Sequence, residues 1–409
     1  MARQKIKLAS AGIAGRLKRI RKDLGLSQRR VSELAELSAS AAQMVEDGGR
    51  FPHIDTVEKL AYALRVSKCW FAFGEEPMSA EYRWWVDAAF DPIQMHDDLI
   101  DLLHTAEGGH IEQSFKYMDT AGASNWLSFV RQSDYATNID SMPLRDVARS
   151  IHESSDGRGV DIIGLGAGTA VHEVRLVNQL LSHGQDNIRL FLLDISQPLL
   201  AIGYKYAREQ LDSNAGVSVW ALQGDFHRLA SYGDQLRSPD RRLRVFCMFG
   251  YTFCNLANEV LFVRNSLSLA QDNDLLLLDI TTVRAPADQP AQVVAADPAL
   301  SGKRPPEFQR RLERFATEPI RRYIPEADIR VQTRLNTAVC TIPGSYSIDM
   351  MAKLSNGRQF SVAYVKRYDL DRLVERMSGE GWALRQNWRY SEDFHFSQLV
   401  LFQCQKRRR

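Results

Sequence analysis

Three features are scarce in this 409-residue chain, and each scarcity closes off a class of protein. Its five cysteines, Cys69, Cys247, Cys254, Cys340 and Cys404, are odd in number, far apart and in no Cys-x-x-Cys or His-rich spacing. Neither a disulfide framework nor a zinc site is indicated, no bound metal is expected, and a reducing cytoplasm suits such a chain. No apolar run approaches the roughly 18 residues of a membrane span, and no N-terminal apolar core of signal-peptide length occurs, so no membrane partner is expected. The absence of a fixed-period repeat or a long low-complexity tract excludes solenoid and fibrous classes. What remains, 44% hydrophobic and 25% charged, is the composition of a soluble globular protein with a sizeable core. At roughly 100 to 200 residues per domain, the length indicates two or three domains.

Net charge is also small, +2, but it is unevenly spread. The first 30 residues carry ten Lys or Arg against one acid, Asp23, the footprint expected for a polyanion partner, and "KRRR" at 406–409 adds a smaller one. Residues 12–75 read as short helices separated by tight turns. Apolar residues at Ile13, Leu17, Ile20 and Leu24, and at Val57, Leu60, Ala61 and Leu64, recur every three or four positions and place one stripe of each helix on a shared core. Ser27, Ser38 and Asp55 stand where N-caps belong. Residues 76–150 are Trp-rich and helical in pattern, including "EYRWWVDAAF", with a break at "EGGH"; they read as a helical linker or lid.

The run from "LGLSQRRVSEL" through "SASAAQMVEDGG" and "LAYALRV" to "WFAFGEEP" resembles the lambda-repressor-like, Xre-type helix-turn-helix. The resemblance implies a domain over 1–75 that binds a double-stranded DNA operator as a homodimer. It places the helix Ser38–Glu46 in the major groove, with Gln28 bonding DNA from the preceding helix. Ser38, Ser40 and Gln43 are the candidate base readers, because hydroxyl and amide groups bond base edges, while Ala39, Ala41 and Ala42 offer only methyl contacts. That helix carries no Arg or Lys, so phosphate contacts fall to the basic first helix, with Arg16 and Arg19 as candidates.

From residue 150 the pattern changes to apolar runs of parallel-sheet type, each followed by a helical stretch: "VDIIGLG", "IRLFLLDIS", "VSVWALQGDF", "LRVFCMFG" and "DLLLLDIT". That alternation implies a doubly wound α/β sheet over 151–409. A Pro- and Ala-rich loop and an α+β region ending in "SQLVLFQC" complete it. The first strand ends in Gly164, Gly166 and Gly168, with Thr169 where a dinucleotide fingerprint would have its third glycine. The second ends in Asp194 and the third in Asp225-Phe226. Strand ends are where open α/β sheets bind ligands. The set suits an adenosine without a phosphate: backbone at the glycines, Asp194 accepting from both ribose hydroxyls, Asp225 accepting from the adenine amine, and Phe226 stacking on the ring.

This order of strand ends looks like a class I S-adenosylmethionine-dependent methyltransferase. Two later segments, "FGYTFCNLANEVLF" and "AYVKRYDLDRLVERMSGEGWALRQNW", are similar to the histidine-specific methyltransferases of ergothioneine biosynthesis. The resemblance implies S-adenosylmethionine or S-adenosylhomocysteine as cofactor. It sets Gly250, Thr252 and Asn255 on the family's Gly-Ser-Thr-Ile-Gly-Asn motif and makes Asn255, with Thr252 and Tyr135, the substrate-side candidates. Lys366 is kept from the imidazole-holding motif, but Val362 and Tyr364 replace its Glu and Ser. Gly164 replaces the acid near the cofactor's methionine end. Asp161 is close in sequence, yet alternation along a strand places it on the other face. Valine in place of a carboxylate removes the charged partner an imidazole needs, which argues against histidine as substrate. No general base declares itself among Tyr135, Tyr251 and His172.

The expectation is therefore a multidomain chain: an all-α helix-turn-helix domain, a helical linker and a methyltransferase-like α/β domain. Two functions fit it. One is a transcription regulator whose C-terminal domain senses an adenosyl compound and an unknown small-molecule substrate or effector; the altered substrate motif favours it. The other is a small-molecule or amino-acid methyltransferase whose DNA module serves autoregulation or localisation.

Overall fold

The computed structural model describes residues 2–48, 52–64, 66, 71, 82–87, 89–105, 107–131, 140–211, 214, 216–237, 241–325, 327–391 and 396–405. They divide into two units, Met1–Arg83 and Trp84–Arg409.

The first unit holds α1 (Ala2–Asp23), α2 (Gln28–Leu34), α3 (Ala41–Glu46) and α4 (Ile54–Ala63). Ile13 and Leu17 of α1 meet Val31, Val45, Leu60 and Phe71 in one apolar core. Leu24, expected on that stripe, is instead exposed, because α1 ends at Asp23 and Gly25 turns the chain with φ +66. Ser27 caps α2 by accepting from the Arg30 amide at 3.1 Å. The other two expected caps shift. His53 holds the N-cap position of α4, so Asp55 falls in its first turn. The expected start of the groove helix at Ser38 moves to Ala41, because the Ala41 amide donates back to the Ser38 carbonyl in a turn. Buried Ser32 then pins the start of α3, its hydroxyl oxygen accepting from the Ala42 amide at 3.0 Å.

In the second unit an eight-stranded sheet runs in the order β1 (Tyr82–Val86), β5 (Val217–Gln223), β4 (Ile188–Asp194), β3 (Val160–Leu165), β6 (Leu243–Met248), β7 (Leu275–Thr281), β12 (Ser397–Cys404), β11 (Trp382–Ser391). Strands β3 to β7 are parallel, and β12 and β11 extend the sheet antiparallel. The parallel strands are the expected apolar runs, buried along most of their length as strands covered on both faces must be. Because β4 and β6 flank β3 on opposite sides, the chain reverses direction of travel across the sheet there, and a crevice opens at the strands' C-terminal ends.

A second sheet, β2 (Gly108–His110), β10 (Gln359–Arg367), β9 (Tyr346–Leu354), β8 (Ile329–Asn336), packs under the helices Pro92–Thr105 and Pro306–Tyr323 through Leu99, Leu103, Ile320, Met350 and Phe360. Of the stretch 76–150, read as a helical linker or lid, Pro92–Thr105 and Thr120–Arg131 are helices and two pieces are strands. "YRWWV" is a sheet strand, with the Trp85 ring 4.9 Å from that of Trp220 of β5 and tilted 30° to it, and "GGH" is β2, parallel to β10. Gly108 is needed there, since a Cβ would lie 2.4 Å from the Gln359 carbonyl oxygen. Residues 84 onward belong to the second unit. No described helix is long and apolar enough to cross a membrane.

Candidate functional site

Four strand ends converge on one cavity of about 370 Å³ in the second unit. After β3, Gly166 and Gly168 turn the chain with φ +73 and +51. Gly166 is also tightly approached, since a Cβ there would meet the Thr252 methyl at 3.2 Å. Asp194, at the end of β4, is buried and accepts from two amides, Gly168 on Oδ2 and Ser196 on Oδ1, both at 2.7 Å. Burial pushes its pKa up to about 6 against the pull of those bonds. Asp225, after β5, caps the following 3-10 turn: its Oδ1 accepts from the His227 amide at 2.8 Å and lies 2.9 Å from the His227 Nδ1. Burial raises the Asp225 pKa, but His227 outweighs burial and the net shift is downward. The Phe226 ring stands edge-on to Phe262 at 5.8 Å. Thr252 and Asn255 come from the loop after β6, where Gly250 and Tyr251 both take positive φ. The Gly250 amide donates to Asp279 at 2.9 Å, and the Thr252 hydroxyl donates to the Phe249 carbonyl at 2.7 Å.

A carboxyl does lie beside Gly164. Glu173, in the first turn of the helix Val171–Ser182, folds its carboxyl against the bare Cα of Gly164, where a Cβ would lie 2.8 Å from its Cγ and Oε1. Its Oε2 is buried on the cavity wall and accepts from no described residue. Burial pushes its pKa up to about 8. Sequence reading missed Glu173, since its only signal is the glycine it leans on, nine positions earlier. Asp161 does face away, with both carboxylate oxygens committed to Arg189 and Arg242. His172 stacks on Phe249 at 5.2 Å, and burial lowers its pKa to about 4, which keeps the ring neutral at pH 7. Tyr251 lies 2.8 Å from the Ser397 hydroxyl, and burial raises its pKa. Tyr135 lies outside the described residues.

A second, smaller chamber of about 150 Å³ adjoins the first, and Gln113, Tyr117, Trp126, Gly250, Asn255 and Tyr364 line both. Trp126 and Phe129 come from the helix Thr120–Arg131, and Phe308 and Phe315 from the helix Pro306–Tyr323. Asn255 therefore stands at the junction. Tyr364 lines both cavities, whereas Val362 is buried in the apolar core of the second sheet. Lys366 does not reach the chamber; its ammonium pairs with Glu259 at 2.7 Å, both fully buried.

In the first unit, Ser38, Ser40 and Gln43 are exposed as expected, whereas Ala41 and Ala42 face the core and offer no methyl to a partner. Met44, exposed beside Gln43, was not anticipated. Arg19 is exposed. Arg16 is half-buried, with its Nε donating to the Phe71 carbonyl at 3.0 Å. Gln28 donates to Glu46 at 2.7 Å, and Arg21 holds the same carboxylate at 2.6 Å.

Residues 95–296 match the family described as histidine-specific methyltransferase, SAM-dependent, and residues 13–69 match a helix-turn-helix domain. No curated protein matches the chain. Among solved structures it is similar to 1,6-didemethyltoxoflavin-N1-methyltransferase of Burkholderia thailandensis, with 8% identity over 69% of this chain and 87% of that one and a TM-score of 0.38. It is also similar to magnesium protoporphyrin IX methyltransferase of Synechocystis, with 10% identity over 70% and 95% of the two chains and a TM-score of 0.39.

Proposed function

We propose that this protein is a DNA-binding regulator whose second unit binds S-adenosylmethionine beside a chamber for a small molecule, so that ligand occupancy biases DNA binding. The observation that carries the ligand side is the cavity at the ends of β3, β4, β5 and β6, continuous at Asn255 with the inner chamber. Its residues fit the cofactor. Asp194 keeps lone pairs for ribose hydroxyls, Gly166 leaves the backbone bare, and the unpartnered Glu173 oxygen suits an ammonium. Bound there, the cofactor supplies an electrophilic methyl group on a sulfonium. The protein's part is to position an acceptor and exclude water. A small-molecule methyltransferase is the second reading, favoured by the chamber's aromatic wall beside the cofactor cavity.

The two readings separate on one measurement. A sensor's ligand must bind the DNA-competent and incompetent arrangements with different affinity. Operator affinity of the full chain unchanged within about twofold, roughly 0.4 kcal/mol, by saturating S-adenosylmethionine and S-adenosylhomocysteine would sink adenosyl-ligand sensing and leave either another effector or the enzyme.

Glu173 gives the cofactor assignment its own test. Its carboxyl, with a pKa near 8, is mostly protonated at pH 7, and pairing with the cofactor's ammonium requires the ionised form. Binding should therefore release a proton. Titration calorimetry at pH 7 in phosphate and in Tris should show the release for the wild type and its loss in Glu173→Gln. Identical apparent enthalpies of wild type in the two buffers, before any correction for buffer ionisation, would mean that no proton is released and would remove Glu173 from the site.

On the DNA side we propose that the first unit binds a two-fold-related operator as a homodimer, its half-sites about one helical turn or a multiple apart. Gln43→Ala should weaken specific binding more than non-specific binding. Arg19→Ala should weaken both and lower the salt slope by about one. Equal losses from Gln43→Ala on every sequence, measured by fluorescence anisotropy, would exclude it from base readout.

A further inference from the structure

We propose that the inner chamber binds a small aromatic carboxylic acid whose carboxylate pairs with Arg304; this rests on reading the adjoining cavity as the cofactor site. Three observations lead to it.

The first is charge. Lys116, Arg304 and Arg367 line the chamber, and no Asp or Glu does. Arg367 is already neutralised, with its Nε 3.2 Å from Asp297 and its Nη1 donating to Thr281 at 2.9 Å. The Lys116 ammonium donates to Gln113 and to the Val362 carbonyl at 3.2 Å, and burial lowers its pKa to about 7. Arg304 differs from both: among the described residues it forms no ion pair and no hydrogen bond, and its guanidinium lies 5.3 Å from the Phe308 ring centroid. Burial, then the charge of Arg367, pull its pKa down to about 10. Asp297 pulls the other way, but that carboxylate is already paired with Arg367, so a half-buried guanidinium still charged at pH 7 keeps its donors open to a partner. Its planar fork matches a carboxylate.

The second is shape. The rings of Phe129 and Phe315 lie nearly parallel, 6.1 Å apart at 10°, with Phe308 5.2 Å from Phe129 and Trp126 5.3 Å from Phe315. A volume of about 150 Å³ is that of a cavity that takes up a single benzene ring. The third is exclusion. An imidazolium or a free amine would enter among cations with no acid on the chamber wall to meet it. One flat ring bearing one negative charge satisfies size, wall and charge together.

The test uses the full chain with and without saturating S-adenosylhomocysteine. The probes are benzoate, 4-hydroxybenzoate and phenylacetate, each against its neutral amide, with benzylamine as the cation. Calorimetry and thermal shift should show at least one acid binding, its amide roughly 10-fold or more weaker, and benzylamine not at all. Arg304→Gln should cost the acid roughly 10-fold or more and leave affinity for S-adenosylhomocysteine unchanged, because Arg304 lines the inner chamber alone. Arg304→Lys should recover part of the loss. Since Arg304 forms no ion pair or hydrogen bond among the described residues, Arg304→Gln should melt close to wild type. The proposal is overturned if no acid binds at 10 mM, if amides bind as well as acids, if benzylamine binds instead, or if Arg304→Gln binds the acids normally. Acids that bind while S-adenosylhomocysteine does not would overturn the cofactor reading and leave this one standing.

Discussion

Glu259→Gln is expected to destabilise the second unit by about 3–5 kcal/mol, the cost typical of breaking a buried ion pair from one side. Glu259 and Lys366 are each 1% exposed and 2.7 Å apart, and the Tyr368 hydroxyl also lies 2.7 Å from the Glu259 Oε1. Glutamine keeps the volume and one acceptor but leaves the ammonium without its counter-charge in an apolar interior. The effect reaches the site, since the Lys366 ammonium also donates to the Ala257 carbonyl at 3.2 Å, two residues from Asn255. The pair therefore ties β10 to the loop that carries the candidate substrate-binding amide. Six of the seven tryptophans belong to the second unit, so urea unfolding followed by their fluorescence reports on it. Replacing both charges, as Glu259→Gln with Lys366→Met, should recover much of the loss, because the isolated charge is then gone. A single-variant midpoint within error of wild type would show that water reaches the pair.

The parallel sheet was legible for a physical reason. A strand covered on both faces needs apolar residues at nearly every position, so "IRLFLLD" and "LLLLDIT" stand out from any helix pattern. The strand ends were legible too, because glycines and acids that stop such runs fall at the one edge where a ligand can approach. Asp161, read by alternation as pointing away from the glycine turn, pairs with Arg189 and Arg242 and does not line the cavity. The failures share a different cause, in that each depends on a neighbour distant in sequence. Two tryptophans in "YRWWV" fit a helix as well as a strand until β5 supplies Trp220. Arg16 reads as a phosphate contact on a basic helix, yet half of it is turned toward the Phe71 carbonyl. Ala41 and Ala42 read as groove-facing until the late start of α3 turns them to the core. Arg304 sits in a Pro-rich loop with no periodicity, and only the fold brings it to one chamber wall with Phe129 and Tyr364. Lys366, kept from the resembled motif, serves a structural ion pair, so motif identity did not carry role.

Asp194→Ala should weaken S-adenosylmethionine roughly 5- to 150-fold, the range that follows from about 1–3 kcal/mol for a buried acceptor's lost hydrogen bonds. Two mechanisms could produce that loss. Asp194 holds the glycine turn through the Gly168 amide, and its remaining lone pairs face the cavity that the ribose would fill. A ligand lacking the ribose 2′-hydroxyl tells them apart. If Asp194 contacts the sugar, 2′-deoxy-S-adenosylhomocysteine binds wild type more weakly than its parent does, and the difference disappears in Asp194→Ala. If the aspartate only shapes the loop, the deoxy penalty is the same in both proteins. The pH dependence adds a signed check. A carboxyl with a pKa near 6 in the folded protein is ionised at pH 7 and gains a proton as pH falls through 6, losing acceptor capacity. Wild-type affinity should therefore fall between pH 7 and pH 5, and Asp194→Asn, neutral throughout, should lack the part of that fall that Asp194 causes. A fall of equal size in Asp194→Asn would trace the titration to another group and leave Asp194 as a support for the turn alone.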